Sequence, residues 1–205
     1  MLIYKTITRL IQYRLCLIHY TELGIEQIFS YTLAKETGVS PEQVRKDFSQ
    51  FGIRGNKKAG YNVLQLIEQI NAILSKNTVQ KIILVGMGNI GKALIHYKGF
   101  ENRNMQIVAA FDIDPAKQGR KYRIPVYPLQ KLPQIVRRED ISNAIIAVPE
   151  STAQQVCDLL TENGIRGILN FAPVILKTSD RIMIKNISLC GELEALSYFT
   201  QRTTV

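Results

Sequence analysis

The clearest chemistry in the chain lies in six residues, Gly86-Met87-Gly88-Asn89-Ile90-Gly91. They follow an apolar run at 81–85 and open a helical pattern, the setting in which G-x-G-x-x-G binds a dinucleotide. Gly86 permits a tight turn, Gly88 lets backbone approach a pyrophosphate, and Gly91 lets the helix pack on the strand. A helix N-terminus favours the phosphate charge. Asp112 follows at the end of the next apolar run, 21 residues beyond Gly91. A carboxylate there accepts from a ribose hydroxyl and repels a 2′-phosphate, which favours NAD over NADP. Arg120, Lys121 and Arg123 weaken that preference if they fold back, and Asp114 reads as a turn residue. A ligand-free Rossmann-like domain, or one that takes coenzyme A, stays open as an alternative. The two histidines, His19 and His96, offer no placed acid or base. A dinucleotide sensor is therefore more economical than a dehydrogenase, and neither a catalytic residue nor a metal site is expected.

A second constellation lies nearer the N-terminus. Ala34, Gly38 and Val44 have helix-turn-helix spacing: a small residue for close approach, a glycine for positive φ, and an apolar anchor. The opposite face of the second helix carries Gln43, Lys46, Asp47 and Gln50, with Arg45 at its flank. Arg and Lys read guanine edges and Gln reads adenine. The glycine-punctuated segment 53–61 resembles the wing of a winged helix, with Lys57 and Lys58 at its tip. Ser40, Gln43, Arg45, Lys46, Lys57 and Lys58 are the expected contacts to double-stranded DNA.

Composition agrees with such partners. The 205 residues carry 26 Lys and Arg against 17 Asp and Glu, a formal charge of +9. The excess is spread over both halves, but residues 44–60 hold five cations against Asp47 alone. A hydrophobic fraction of 46% supplies a core and excludes a wholly disordered chain. No apolar run approaches the roughly 18 residues of a membrane span, and the start does not read as a secretory signal. Cys16, Cys157 and Cys190 form neither a disulfide framework nor a zinc pattern. They read as buried, reduced thiols in a cytoplasmic protein.

The elements that must position these residues fall into two groups. Helices are expected over 6–20, 31–37 (capped by Ser30) and 41–50, the last capped by Ser40 with Pro41 at its first position. A helical linker follows at 62–76. Beyond it, strands at 81–85, 106–111, 144–148, 167–169 and 181–188 alternate with helices at 89–97 and 151–163. That alternation argues for a parallel sheet covered on both sides. A short helix at 192–200 ends the pattern. The expected architecture is α/β, with an N-terminal winged-helix domain (1–76), a Rossmann-like parallel-sheet domain (77–188) and a C-terminal helix (189–205).

This pairing, and particular residues within it, resemble the Rex family of bacterial redox-sensing repressors. The resemblance rests on Gln43-Val44-Arg45-Lys46-Asp47, Phe51-Gly52, the segments 60–63, 84–94, 97–100 and 111–115, and above all 164–174. It covers the chain from about Ile7 to Tyr198. It implies a homodimer that holds NAD(H) and binds a palindromic operator, with NADH closing the dimer and releasing DNA. It implies that the terminal helix is exchanged between subunits. Arg45, Lys46 and Lys57 would meet DNA, and Gly86, Gly88, Gly91 and Asp112 would hold the dinucleotide. Tyr97, Val148, Pro149 and Phe171 would lie near its nicotinamide half. Some positions depart from the family pattern. Leu15 and Ser188 stand where a family arginine and aspartate join the tyrosine in a redox-sensing network, although Arg14 is adjacent. Arg54 and Lys58 replace an aromatic residue and a glycine in the wing. The resemblance thus admits a repressor with a weakened or lost redox response. A small NAD-dependent oxidoreductase, or a protein-interaction module, is the less favoured reading.

Overall fold

The computed structural model describes residues 2–56, 58–74 and 78–202. The chain divides into two compact units, Met1–Thr78 and Val79–Val205. The boundary expected at Ser75-Lys76-Asn77 lies outside the described residues, as does Lys57.

The first unit is built on α1 (Leu2–Glu22), whose Leu10, Tyr13 and Leu17 recur at helical spacing and are fully buried. β1 (Gln27–Ile28) leads to α2 (Ser30–Thr37) and α3 (Pro41–Gln50). Gly38 ends α2 with φ +68°, a left-handed conformation that suits glycine. Ser40 caps α3 by accepting the Gln43 N–H at 3.2 Å, and Pro41 follows at the first helical position. Val44 and Phe48 anchor α3 in the core, where Phe48 meets the Tyr13 and Tyr61 rings edge to face. β2 (Tyr61–Asn62) pairs antiparallel with β1 and closes the wing.

Several expectations need correction here. Ser30 is the first residue of α2, not its cap, and its Oγ accepts from Arg45 Nη1 at 3.0 Å. Of the expected linker 62–76, the described part, 62–74, packs into the first unit instead. Asn62 caps α4 (Val63–Ile73), and Val63, Leu66 and Ile70 bury its apolar stripe in the unit's core.

The second unit holds six parallel strands: β3 (Gln80–Val85), β4 (Met105–Phe111), β5 (Val126–Tyr127), β6 (Asn143–Ile146), β7 (Gly167–Asn170) and β8 (Met183–Asn186). Their spatial order is β5-β4-β3-β6-β7-β8. The order reverses between β3 and β6, the place where doubly wound sheets bind ligands. Between strands lie α5 (Asn89–Ile95), α6 (Leu132–Glu139) and α7 (Glu150–Glu162). α6 and α7 bury one face of the sheet against Ile83, Val85, Phe111, Ala144 and Ile146. α5 covers Leu84, Ile107 and Ala110 on the other. That second face is less completely covered than expected, since Leu169 and Phe171 are only partly buried there. β5 and α6 carry too short a signal to be seen in the sequence. α8 (Leu189–Arg202) ends the unit and leaves Leu189, Leu193, Leu196 and Phe199 exposed. Cys190 is exposed on it, against the expectation of a buried thiol, whereas Cys157 is buried.

Asn170 closes β7. Its Nδ2 donates to Val174 O at 2.8 Å, to Asn186 Oδ1 at 2.9 Å and to Ala172 O at 3.2 Å, and its Oδ1 accepts from Ala172 N at 2.9 Å. The side chain is completely buried. Asn170→Ala strands these partners, so we expect it to cost about 2–4 kcal/mol. Urea unfolding checks this; a loss under 1 kcal/mol would show that water replaces the amide.

Candidate functional site

The glycine turn is held by close backbone contacts. Gly86 has φ +102°, and a Cβ there would run into Ala147 O on the neighbouring strand end. A Cβ on Gly91 would run into Gly86 O, so this glycine sets how closely α5 meets the end of β3. A Cβ on Gly88 would meet nothing within 4 Å. Gly88 instead borders open space, as a residue admitting a ligand to the backbone must.

That space is a cavity of about 780 Å³ at the C-terminal ends of β3, β4 and β6. Val85, Phe111, Leu129, Val148 and Leu159 give it apolar walls. Asp112, Asp114, Asp158 and Glu162 give it four carboxylates, against Lys117. The volume suits a small-molecule or cofactor site. Apolar walls suit a planar base, and Asp112 beside Gly86 and Gly88 suits a ribose next to a phosphate. The residues present therefore fit a dinucleotide.

Asp112 is 7% exposed. Its Oδ2 accepts from Met87 N at 2.7 Å and Lys117 Nζ at 3.3 Å, and its Oδ1 accepts from Asp114 N at 2.8 Å. Burial pushes its pKa up, but the Asp114 and Met87 N–H groups and the Lys117 ammonium outweigh burial and hold it below the usual carboxylate range. Lys117 is the cation that reaches this carboxylate, and the sequence did not single it out. Arg123 pairs with Glu101 instead, and Lys121 Nζ donates to Ala116 O at 2.6 Å.

Of the expected dinucleotide residues, Gly86, Gly88, Asp112, Val148 and Pro149 line the cavity. Met87 is buried and contributes its N–H to Asp112. Gly91 serves packing, while Asn89 and Ile90 form the first turn of α5 outside the cavity lining. Tyr97 and Phe171 are not brought to it. Tyr97 lies beyond the C-terminus of α5, 60% exposed, edge-on to Phe100 at 5.2 Å. Phe171 packs with the α5-side cluster, whereas the cavity opens on the α6–α7 side. Thr152, Gln155, Asp158 and Glu162 of α7 line the cavity without having been foreseen, because their helical spacing carries no motif.

In the first unit, α3 leaves Arg45, Lys46 and Gln50 exposed and Gln43 half-buried. Arg45 bridges Ser30 Oγ and Glu42 Oε1, the latter at 2.7 Å. In the wing, Asn56 Oδ1 accepts from Lys58 N at 2.8 Å and Ala59 N at 3.0 Å, fixing the turn that presents Lys58. Asp47 is not on the open face. It is 1% exposed and turned toward α1, where Arg9 Nε and Nη2 meet it at 2.5 and 2.6 Å and Tyr13 OH at 2.9 Å. Burial raises the Asp47 pKa, and the Arg9, Gln43 and Tyr13 donors overcome it to lower the pKa.

Comparison with known proteins gives these two sites a common frame. Residues 4–49 match the family model described as putative DNA-binding protein N-terminus, and residues 77–174 match the one described as CoA binding domain. A redox-sensing transcriptional repressor Rex of Pelotomaculum thermopropionicum is 41% identical over 94% of this chain and 91% of its own. The Rex of Carboxydothermus hydrogenoformans is 39% identical over 96% and 95%. The chain belongs to the Rex family. A solved Rex-family repressor, RSP in complex with β-NAD⁺ and operator DNA, superposes with a TM-score of 0.90 at 31% identity, covering 98% of this chain and 93% of that one. RSP in complex with β-NADH gives 0.86 at 30% identity, covering 97% and 94%. This chain combines the glycine turn with an Asp112 carboxylate bonded to it.

Acid titration tests that bond. A carboxylate with a lowered folded pKa stabilises fully above its unfolded value, about 3.9 for Asp, and the stabilisation is lost as pH falls through the lower folded value. Asp112→Asn should therefore lower the urea midpoint at pH 7 and shrink its fall between pH 5 and pH 2. An acid limb identical to wild type would show that Asp112 is not among the groups that govern it.

Proposed function

We propose that this chain is a DNA-binding transcriptional repressor that senses the NADH/NAD⁺ ratio, with NADH releasing it from a palindromic operator. The observation that carries this is the pairing, in one chain, of a helix-turn-helix unit with a basic outer face and a second unit with a dinucleotide-type cavity at its switch point. The Rex relatives, and RSP structures that contain NAD⁺ with operator DNA or NADH, support it. The same relatives are repressors rather than oxidoreductases, so we read the chain as a non-enzyme.

α3 enters the major groove. Lys46 and Gln43 face base edges, while Ser40, Arg45, Lys57 and Lys58 meet phosphates. Ser40 Oγ already caps α3, so it adds a helix-terminal phosphate contact rather than base readout. In the second unit, Asp112 takes the adenosine ribose and Gly86 to Gly91 admit the pyrophosphate. The nicotinamide half passes over the strand ends from Val148 and Pro149 toward Phe171 and Tyr97, on the α5 side of the sheet. The bound dinucleotide supplies the signal through the charge and shape of its nicotinamide ring.

The working unit is a homodimer, which matches an inverted-repeat operator. Its support is α8, whose Leu189, Leu193 and Leu196 lie on one face and stay exposed. We assign 1–76 to DNA binding, 77–188 to NAD(H) binding and 189–205 to exchange between subunits. No helix among the described residues is long and apolar enough to cross a membrane. An operator-binding protein works in the cytoplasm, where bacterial DNA lies.

Fluorescence anisotropy on an inverted repeat selected from a random pool tests this, with NADH and NAD⁺ titrated at fixed salt. NADH should release the DNA and NAD⁺ should not. Indifference to both nucleotides would overturn the sensing part of the proposal. Lys46→Ala should weaken operator binding by about 1–3 kcal/mol and relax sequence preference. Gly88→Val should fold normally, since its Cβ meets open space, yet lose NADH uptake by calorimetry while still binding operator. Normal uptake would place the dinucleotide elsewhere.

A further inference from the structure

Asp47 carries a geometry that DNA binding alone does not explain. All four of its lone-pair directions are taken. Oδ2 accepts from Arg9 Nε and Tyr13 OH, and Oδ1 accepts from Arg9 Nη2 and, at 2.7 Å, from Gln43 Nε2. A carboxylate can only accept, so the nitrogen of the Gln43 amide must face it. The Gln43 oxygen cannot exchange places with that nitrogen without setting two acceptors against each other. Arg9 in turn locks the carboxylate as a two-bond fork, the most direction-specific form of such a pair. Burial of Asp47 keeps water from substituting for any of the four donors.

We propose that Asp47 is a positioning residue for sequence readout: it fixes the Gln43 amide so that α3 presents the Gln43 carbonyl oxygen as a base-edge acceptor. Gln43 lies in the first turn of α3, the part of a recognition helix that reaches base edges. An outward acceptor selects a base with a major-groove donor, the N6 amino group of adenine or the N4 amino group of cytosine. Guanine and thymine present acceptors at those positions and are refused. Unclamped, a glutamine amide turns over and accepts either class. Asp47 thus converts an ambidextrous side chain into one of fixed polarity without touching DNA.

The inference rests on the proposed operator binding. Its test is sequencing of the half-sites that purified protein retains from a random DNA pool at fixed salt. Four proteins are compared: wild type, Gln43→Met, Asp47→Asn and the double variant, each checked for cooperative thermal unfolding. Wild type should prefer adenine or cytosine at one position of each half-site. Gln43→Met should lose that preference by about tenfold and leave the other positions unchanged. Asp47→Asn offers both a donor and an acceptor, so it should admit guanine or thymine at the same position. The double variant should lose no more there than Gln43→Met alone, since the two residues act through one contact. If Asp47→Asn does not fold, Arg9→Lys takes its place, because it removes the fork and frees the carboxylate to turn. An even loss of affinity across all positions would make Asp47 a merely structural residue and overturn the proposal. So would an unchanged preference in Gln43→Met. A wild-type protein that selects no inverted repeat would instead fail the repressor function itself.

Discussion

The hydrogen bond from the Met87 N–H to the Asp112 carboxylate is the constraint on which the second unit's cavity depends. It ties the turn after β3 to the end of β4, and so fixes the distance between the two strand ends that border the cavity. Gly86 makes the turn sterically feasible, and Gly91 lets α5 start directly beneath it. Neither glycine substitutes for the carboxylate: the Gly86 N–H bonds to Phe111 O at 2.8 Å, and the next N–H, that of Met87, goes to Asp112. With Lys117 and the Asp114 N–H also on this carboxylate, one Oδ1 lone pair is left at the cavity wall. A single side chain therefore shapes the site and contributes to it. Its two roles reinforce each other, because the backbone donors that lower its pKa keep it an acceptor.

The first unit repeats this device with a different outcome. Asp47 is buried as deeply, and its donors likewise hold it ionised. Here no lone pair remains for a ligand, because Arg9, Tyr13 and Gln43 use all four. The Tyr13 hydroxyl, its pKa driven up by burial and by the adjacent carboxylate, stays a donor at every physiological pH. The result is a rigid joint between α1 and α3. A buried pair of this kind adds little net stability over apolar packing, but breaking one partner is costly. Its value lies in fixing how α3 is oriented on its support.

The sequence made legible what local rules determine. The glycine turn, the Ser40-Pro41 helix start and the alternation of apolar strands with helices all follow from short-range sterics and capping. So does Asp112, because the spacing from the fingerprint is a property of one βαβ unit. Asp47 reads as an outer-face residue by its charge, yet it stands three residues after Val44 and four before Phe51, the spacing of the buried face, and Arg9 and Tyr13 of α1 supply the donors that let it stay there. Lys117 and the α7 carboxylates were missed because they reach the cavity through tertiary packing. β5 has two residues and is held by pairing to β4, so no pattern of its own exists to be read. Tyr97 and Phe171 belong to conserved-looking segments of the family resemblance, but the sheet's face decides where they point, and that face is not the cavity's.

Ser188 shows how a departure from the family pattern can keep structure while changing electrostatics. Its Oγ accepts the Gly191 N–H at 3.0 Å and its carbonyl accepts from Glu192 N at 3.0 Å, so it caps α8. Aspartate caps a helix equally well, so the exchange preserves the start of α8. It removes a negative charge that the resemblance places in the redox-sensing network. Arg14, beside Leu15 on the first helix, is buried in the first unit, with Nη1 donating to Asn71 Oδ1 at 3.1 Å. A ligand shifts a two-state equilibrium only through its difference in affinity for the two states, and a near-complete shift needs roughly 10⁴-fold. Under the proposed function a hydroxyl at position 188 contributes less to that difference than a carboxylate, because it holds a cationic partner more weakly.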